Sequence, residues 1–545
     1  MAGLFANGAA ADIVHDAEFY ILQEQNGERW AAEDKKLDQR LAEFREKNGG
    51  KPPNIFYILI DDIGFGDLGS KTLNIIRGYE TPSINAFAKE GMRLARMYTE
   101  PSCTPTRVAF MTGRQPHRNG MGNTAVDISG FGLAGKEVTL AEILSEKGYN
   151  TVHIGKWHMG DIQEAWPNWQ GFDYAAFPIH QQGQLTIFHD DAANEEVSVG
   201  IGDNNFDDRY VKDRWLRTDA SAMVTGVEGS RNKPVREVHM RPGERWTEAK
   251  YAAMNQRYQD QTMEHLRKLA KQDEPFFLQY WPLYPLTGPR TAYDEYTTPN
   301  GGNYVEKMKL VDEWIGELMA EMEKLGVADN TLVVIMGDNG HFTKYSPQSG
   351  YTPMVYRGGK GSTTEGGVRV DAFVRWPGMI EADSVVGDIV HVTDLFTTIS
   401  RLAGATDEIP TDRIIDGLDQ TALMLNGDTY GRRDYVFLYN IGALEAVVKD
   451  QFKLVIPGGK VENAILADFY DLYRDTREEK PVSTEIGAWG GAKFVRMVGR
   501  HMARKQKYPS EGPATGMPYK GIENLRPESE AAVQEFLFMM NSPEM

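Results

Sequence analysis

The stretch MYTEPSCTPTRVAFMTGRQPHRNGMG, residues 97–122, contains Cys103, the only cysteine among 545 residues. A lone thiol is usually a small buried hydrophobe, but the neighbours of this one are polar, Ser102 and Arg107 among them. The apolar run 108–111 predicts a short helix with Cys103 at its N-terminus, where backbone N–H groups and the helix dipole favour anions. The pattern therefore indicates a nucleophile that meets a negatively charged substrate.

Acidic and amide side chains follow two apolar runs. Asp61 and Asp62 come directly after IFYILI, and Asp338 and Asn339 come after TLVVIMG. Unbroken apolar runs of strand length indicate central strands of a parallel sheet, and ligands bind at the carboxyl ends of such strands. Two adjacent carboxylates there are costly unless a cation neutralises them, and helix capping explains only one of them. The pattern therefore favours a cation site.

Two lysines and a histidine lie where they could contact an anion. A strand over 152–154 would leave Lys156 and His158 just past its end, and side-chain alternation would place both on one side. His153 has the opposite parity and is expected to be structural. Lys360 lies in GGKGSTTEGGVR, which is either a flexible glycine-rich loop or a loop that brings a lysine close to a ligand. The other candidate residues favour the second interpretation.

Composition limits the function classes. The net charge is −19, from 78 acidic and 59 basic residues, so a broad basic face for nucleic acid is excluded and positive charge must be focused locally. A single cysteine forms no intramolecular disulfide, which fits a bacterial cytoplasm. The first residues lack a basic and a long apolar region, so we expect no signal peptide. No apolar run of about 18 residues occurs, so we expect no membrane association.

Together these segments resemble type I sulfatases of the alkaline phosphatase superfamily. CTPTR and TGR, from Cys103 to Arg114, resemble the family signature C-x-P-[ST]-R…T-G-R, and residues 148–160 resemble its second part, G-Y-x-T-x-x-x-G-K-W-H-x-G. The resemblance covers roughly residues 54–480, with the motifs in the family's order. The further motifs are DDIGFGD (61–67), GDNG (337–340), GGKGSTTEGGVR (358–369) and FYDLYRD (469–475).

The resemblance implies an α/β fold, an alkaline-phosphatase-like sandwich with a large, mostly parallel central sheet and a smaller C-terminal α+β subdomain. It implies hydrolysis of small anionic sulfate monoesters, aryl sulfates foremost, by S–O cleavage. In the family a formylglycine-generating maturase oxidises the cysteine that corresponds to Cys103. The hydrated aldehyde then attacks sulfur and forms a sulfated formylglycine-hydrate intermediate.

The resemblance also assigns a metal site. Its ligands would be Asp61, Asp62, Asp338, Asn339 and an oxygen of modified Cys103. Hard oxygen donors without histidine or thiolate suit one divalent cation, Ca²⁺ first, with Mg²⁺ or Mn²⁺ as alternatives.

The remaining catalytic roles are carried over in the same way. Arg107 would orient the formylglycine, and Arg114 would support its loop. Lys156 and Lys360 would bind the sulfuryl oxygens, where developing charge must be stabilised. His158 would be the base that deprotonates the second hydroxyl so that sulfate is expelled.

One position departs from the family pattern. After Pro285 the family usually carries a histidine that contacts the sulfate and the leaving group, and this chain has Leu286. Either the natural leaving group is a good one or another residue supplies the proton. His180 is the candidate for that role, although it could equally be a surface residue.

Two rival functions stay open at this point. One is a phosphonate monoester or phosphodiester hydrolase of the same superfamily, which commonly has histidine where Asn339 stands. The other is a non-catalytic binding protein whose Cys103 is never converted.

The chain divides into four predicted parts. Residues 28–47 are predicted to be a charged, amphipathic helix. This helix is either a solvated surface helix or an arm that docks on another subunit. The second alternative supports a homo-oligomer formed through the terminal extensions. The parts are a helical extension (1–50), the sulfatase-like catalytic domain (51–410), a small C-terminal subdomain (411–486) and a tail with a last helix near 529–540 (487–545).

Overall fold

The computed structural model describes twelve ranges of the chain. They are 12–77, 79–124, 129–179, 197–199, 216–218, 225–238, 248–286, 302–341, 355–426, 430–460, 467–482 and 484–521.

The elements alternate along most of the chain, as expected for an α/β protein. The helices are α1 (Ala17–Lys47), α2 (Lys71–Arg77), α3 (Pro82–Glu90), α4 (Cys103–Thr112), α5 (Leu140–Glu146), α6 (Glu248–Leu269), α7 (Gly302–Leu325), α8 (Glu365–Val368), α9 (Val392–Ala403), α10 (Thr421–Asn426) and α11 (Thr484–Lys507). The strands are β1 (Asn54–Ile60), β2 (Met92–Tyr98), β3 (Phe131–Gly132), β4 (Asn150–Gly155), β5 (Tyr174–Pro178), β6 (Val197–Val199), β7 (Leu216–Thr218), β8 (Thr225–Ser230), β9 (Lys233–Val238), β10 (Phe276–Trp281), β11 (Thr331–Gly337), β12 (Arg369–Val370), β13 (Ala372–Arg375), β14 (Ser384–His391), β15 (Tyr435–Asn440), β16 (Ala443–Lys449), β17 (Phe452–Val455), β18 (Asp468–Asp471) and β19 (Ala514–Thr515).

A large, mostly parallel sheet forms the centre of the protein, as the sequence predicted. Its strand order is β12-β2-β13-β11-β1-β10-β4-β5-β8-β9, and β14 pairs with β2. Strand β1 lies between β10 and β11, parallel to both, and all seven of its residues are buried. This burial on both faces explains why its sequence is an unbroken apolar run.

The register of the central strands brings their carboxyl ends to one level. Ile60 of β1 pairs with Gly337 of β11, and Trp281 of β10 pairs with Gly155 of β4. The residues that follow β1, β11 and β4 therefore meet at one edge of the sheet.

A second, smaller sheet near the C-terminus is antiparallel, in the order β15-β16-β17-β18. The division of the chain at residues 411 and 487 stays a prediction, and two helices of the structure bear on it. Helix α10 packs into the large core through Ala422 and Leu423, so the small unit begins near β15. The boundary at 487 falls inside α11, which the sequence analysis missed, and the helix predicted at 529–540 lies outside the described residues.

Helix α1 joins the two units. It begins at Ala17, well before the predicted start, because the packing of Leu22 and Trp30 outweighs the roughly 1 kcal/mol cost of Gly27 in a helix interior. Leu22 and Trp30 pack in the small core, and Leu37 packs in the large one.

Helix α1 thus packs on its own chain, and a homo-oligomer formed through the terminal extensions stays a prediction. Its apolar stripe is buried within its own chain. Within the described ranges, no helix is both long enough and apolar enough to cross a bilayer.

Candidate active site

Cys103 is the first residue of α4, as predicted, and its side chain is completely buried. The helix ends at Thr112, and the next residue, Gly113, has a φ of 66°, the left-handed conformation common after helix ends. Burial and the nearby Asp61 carboxylate raise the pKa of the Cys103 thiol to about 12. An unmodified thiol at this position is therefore protonated at neutral pH and is a poor nucleophile.

The predicted metal carboxylates converge on Cys103. Side-chain ligand atoms of Asp61, Cys103 and Asp338 all lie within 4.8 Å of one another. The backbone N–H of Asp62 donates to Asp338 Oδ1 over 2.9 Å, and Asn339 Nδ2 donates to Asp62 Oδ1 over 2.8 Å. The register of β1 and β11 produces this cluster because both strands end at the same level.

The donor set fits a hard divalent cation. The amide oxygen of Asn339 is buried and has no hydrogen-bond partner among the described residues, although buried acceptors are nearly always satisfied. The same amide group is hydrogen-bonded to the Asp62 carboxylate through its nitrogen, and Asp62 is hydrogen-bonded in turn to Asp338. This acidic cluster could hold a metal ion, and its oxygen atoms are the ligands that Ca²⁺ and Mg²⁺ prefer.

Arg107 bridges the carboxylates of Asp61 and Asp338. Its Nη2 donates to Asp61 Oδ1 over 2.8 Å and to Asp338 Oδ2 over 2.9 Å, and its guanidinium lies 4.8 Å from the ring of Trp281. Burial would raise the pKa of Asp61, but Lys156 and other nearby cations lower it well below its usual range. Burial and the charge of Asp61 raise the pKa of Asp338 well above its usual value.

Both predicted sulfate-binding lysines reach this cluster. Lys156 Nζ donates to Asp61 Oδ1 over 2.6 Å. Lys360 Nζ lies 2.9 Å from Asp62 Oδ1 and 2.8 Å from Cys103 Sγ. Burial lowers the pKa of Lys360, but Asp62 and the other acidic groups raise it well above its ordinary value, so the ammonium stays charged. Two cations thus lie beside the candidate nucleophile.

His158 is buried close to the same cations, although not by the predicted strand alternation. Strand β4 ends at Gly155, where φ is +103°, and His158 itself has a φ of +59°, so the two-residue period does not extend to it. Its carbonyl accepts a hydrogen bond from Thr104 Oγ1 over 2.9 Å. Burial, Lys156 and Arg107 lower the pKa of His158 well below its ordinary value, so its imidazole is neutral at neutral pH.

His153 and Arg114 support the site from outside it. His153 is buried and its ring nitrogens lie 3.0 Å from Gln279 Oε1 and 3.2 Å from the carbonyl oxygen of Gly155. Arg114 pairs with Glu137 and donates to a backbone carbonyl over 3.1 Å. Both are structural residues, in agreement with their predicted roles.

The structure describes one of the two proposed leaving-group residues, and both roles stay predictions. Leu286 is only 8% exposed, and its carbonyl accepts a hydrogen bond from Tyr251 over 3.3 Å. His180 lies outside the described residues.

Two acidic residues that were not predicted hold the loop after Asp61 and Asp62 in place. Asp67 Oδ2 accepts from the backbone N–H of Gly64 over 2.9 Å and lies 3.0 Å from His341 Nδ1. Asp371 accepts from the backbone N–H groups of Gly66 and Leu68 over 2.7 and 2.8 Å. Asp67 is the last residue of the DDIGFGD motif, which was the available signal, whereas nothing in the sequence singled out Asp371.

The loop that carries Lys360 is held by a buried charge network that was also missed. Lys453 Nζ lies 3.2 Å from Glu365 Oε1 and 2.8 Å from Glu478 Oε1. The backbone N–H of Glu365 donates to Glu478 Oε2 over 2.7 Å, and Tyr98 Oη donates to Glu365 Oε2 over 2.9 Å. Strand β17 of the small sheet thereby anchors the segment that follows Lys360.

Comparisons with known proteins agree with this geometry. The family model described as Sulfatase matches residues 53–405. Steryl-sulfatase of Rattus norvegicus is 33% identical over 441 residues, 73% of this chain and 74% of that protein. N-acetylgalactosamine-6-sulfatase of Mus musculus is 31% identical over 415 residues, 74% of this chain and 72% of that protein. The solved PsFucS1 sulfatase from Pseudoalteromonas sp. is similar with a TM-score of 0.75 and 28% identity, covering 89% of this chain and 96% of that one.

The large sheet and the smaller C-terminal sheet define an alkaline-phosphatase-like fold, which the solved sulfatase shares. The chain belongs to the sulfatase family. It is therefore a sulfuric ester hydrolase, and the resemblance read from the sequence is confirmed.

Proposed function

We propose that the protein hydrolyses sulfate monoesters, activated aryl sulfates among them, with a formylglycine made from Cys103 and one divalent cation, Ca²⁺ first. The observation that carries the proposal is the position of Lys360 Nζ, 2.8 Å from Cys103 Sγ. A cation at that distance would contact a sulfuryl group bonded to the nucleophile. Lys156, fixed on Asp61, supplies a second positive charge for the same group.

The formylglycine would supply two hydroxyls in its hydrated form, one that attacks sulfur and one whose deprotonation expels sulfate and restores the aldehyde. The cation would be held by Asp61, Asp62, Asp338 and Asn339, and it would supply charge that favours ionisation of the attacking hydroxyl.

The chain's own residues would orient the metal-binding carboxylates and deprotonate the second hydroxyl of the hydrate. Arg107, hydrogen-bonded to Asp61 and Asp338, fixes the two carboxylates against each other. His158, neutral at neutral pH because burial and the nearby cations lower its pKa, would accept the proton of the second hydroxyl.

The residue after Pro285 bears on which alcohol can leave. The position after Pro285 holds Leu286, which cannot donate a proton. We infer that alcohols of low pKa, such as phenols, leave best, with His180 kept as the candidate acid. The two mammalian relatives are named for a sterol and for an amino sugar, so their names support no single alcohol class for this chain.

The test begins with the protein co-expressed with a formylglycine-generating enzyme. Mass spectrometry of the Cys103 peptide should show a loss of about 18 Da relative to the cysteine form. The converted protein should hydrolyse 4-nitrophenyl sulfate faster than phenyl phosphonate esters, and the Cys103→Ala variant should be inactive. An unmodified thiol would favour the non-catalytic binding protein. Higher efficiency on the phosphonate would favour the superfamily's phosphonate hydrolases.

Cys103→Ser distinguishes the two hydroxyls. Serine can attack sulfur but offers no second hydroxyl on the same carbon. We expect this variant to retain a covalent sulfate that intact-protein mass spectrometry detects, while Cys103→Ala retains none. A cytoplasmic bacterial location and a homo-oligomer are further predictions, which fractionation and light scattering would test.

A further inference from the structure

The turn between β15 and β16 carries an exposed apolar residue in an unfavourable backbone conformation. Ile441 is 69% exposed and has a φ of +46°. Positive φ brings the Cβ of an L-residue close to the backbone, and for a β-branched residue it is a clear outlier. Gly442 follows with a φ of +80°, so the turn needs positive φ at two successive positions, where Asn-Gly is the preferred sequence.

The residue before Ile441 is attached to the loop of the sulfate-binding lysine. Asn440 Nδ2 donates to the carbonyl oxygen of Gly361 over 3.2 Å. Gly361 directly follows Lys360, and its N–H donates to the carbonyl of Pro101 over 2.7 Å. One side of the turn is therefore fixed to the segment that places Lys360 on Cys103.

The residue after Ile441 packs on the other segment beside Cys103. A Cβ built on Gly122 would lie 3.3 Å from the backbone nitrogen of Gly442, so these two glycines are in close contact. Two residues beyond Gly122, Thr124 Oγ1 lies 2.8 Å from Oγ of Ser102, which precedes Cys103. The neighbours of Ile441 on both sides, Asn440 and Gly442, therefore contact the two segments that approach Cys103.

The polar groups of the turn are already engaged. Glu445 accepts from Asn440 through Oε1 over 3.2 Å and from Thr363 through Oε2 over 3.0 Å. These bonds attach the hairpin to the loop. They leave Ile441 as the turn's large solvent-accessible side chain.

We propose that Ile441 contacts the alcohol portion of the substrate, and that this alcohol presents an apolar face, such as an aromatic or fused-ring surface. The inference rests on the proposed function. Strained residues persist where the surrounding structure holds them, and they concentrate at functional sites. Isoleucine is unfavourable in this turn because of its positive φ and because its apolar side chain is exposed. A bound apolar group that covers Ile441 would explain its presence there.

A macromolecular partner is the weaker explanation. A stable protein interface covers about 800 Å² on each partner, and a single isoleucine provides a small fraction of that area. In the described ranges, the other large exposed apolar side chains all lie outside this turn, namely Tyr20, Val385, Tyr430, Tyr473 and Met517. A single apolar contact matches a small molecule better than a protein surface.

The experiment compares Ile441→Asn with wild type on phenyl sulfate and 2-naphthyl sulfate. These esters have similar leaving groups but differ in apolar area. We expect kcat/KM for the naphthyl ester to fall about four- to fifteenfold, the effect of losing one or two methylene-sized contacts. The value for phenyl sulfate should change less than about twofold, and the thermal midpoint should rise because asparagine tolerates positive φ.

Val385→Asn is the matched control, since Val385 is 66% exposed, apolar and on β14. It should leave the ratio of the two esters unchanged. Equal changes on both esters in Ile441→Asn, or no change on either, would overturn the proposal. An altered light-scattering mass with an unaltered ratio would also overturn it and would indicate a protein partner.

The test also separates the two proposals. If wild type turns over neither ester, the proposed function fails, and calorimetric binding of both esters to wild type and Ile441→Asn still measures the selectivity. Tighter wild-type binding of 2-naphthyl sulfate that is lost in the variant supports the Ile441 contact. Equal affinities in both proteins would reject it.

Discussion

Replacing Lys453 with methionine would test whether the small sheet fixes the active-site loop. Lys453, Glu365 and Glu478 are completely buried, and the lysine is the cation that lies 3.2 and 2.8 Å from the two carboxylates. Removing one partner of a buried ion pair costs about 3–5 kcal/mol, because the remaining charge is left without compensation. Arg369 still lies 3.3 Å from Glu365, so we expect a value near the lower limit.

The pH dependence has a definite sign. Burial would raise the pKa of Glu365, but Lys453 and Arg369 lower it below its ordinary value. A carboxyl whose folded-state pKa is lowered contributes stability that is present above its unfolded pKa and is lost as the pH falls. Without Lys453, burial is opposed by fewer cations and the pKa of Glu365 rises. A buried carboxyl whose folded-state pKa is raised destabilises the fold increasingly as the pH rises above its unfolded pKa, so the destabilisation should be larger at pH 8 than near pH 5.

Thermal unfolding measured at both pH values would show the effect. An unfolding entropy of about 2.1 cal/mol/K per residue means that 1 kcal/mol shifts the midpoint of this 545-residue chain by about 1 °C, so the midpoint at pH 8 should fall by about 3 °C or more. Turnover should fall as well, since the segment after Lys360 loses its anchor. Lys460→Met, at an exposed position of the same subdomain, is the control and should change neither property.

A triple variant makes this test specific. Adding Glu365→Gln and Glu478→Gln to Lys453→Met removes the uncompensated charges and should restore much of the lost midpoint. A midpoint of Lys453→Met within about 1 °C of wild type at pH 8 would refute the reasoning, because it corresponds to less than about 1 kcal/mol.

Three further outcomes are expected. Asp338→Ala should lose both bound metal and turnover, because the remaining carboxylates cannot position a cation; full metal content by elemental analysis would reject the ligand assignment. The wild type should hydrolyse activated aryl sulfates about 10²–10⁴-fold faster than esters of poor leaving groups, because Leu286 provides no acid; if His180 is the substitute, His180→Ala should slow poor leaving groups more than good ones across graded phenyl sulfates. The lowered pKa of His158 predicts that kcat/KM keeps its plateau well below pH 6.5, and an acid limb centred near pH 6.5 would contradict the role of a neutral base.

The strands that carry the site could be predicted from the sequence because their burial on both faces leaves a local signal. The apolar runs before Asp61 and Asp338 are continuous, and each ends where the polar ligands begin. Their convergence followed from one physical rule, that parallel strands present their carboxyl ends at a common edge.

Other parts of the site depend on contacts between distant segments and left no local signal. Gly155 has a positive φ that ends the strand alternation before His158. The presence of a glycine does not by itself predict that conformation. The sequence around Lys453 predicts an ordinary strand residue, because its partners Glu365 and Glu478 reach it only in the folded protein. The start of α1 depends on the small core, which overrides the weak helix propensity of Gly27.

The separation of Cys103 and Lys360 along the chain also determines how long Cys103 exists before Lys360 is synthesised. The two residues are 257 positions apart, yet they are in contact in the folded protein. Ribosomes add about 5–20 residues per second, so about 10–50 s pass between the synthesis of the cysteine and that of its lysine. During this interval the segment that will close over the thiol does not yet exist. An enzyme that modifies Cys103 must therefore act on the growing chain in that interval or on an unfolded one.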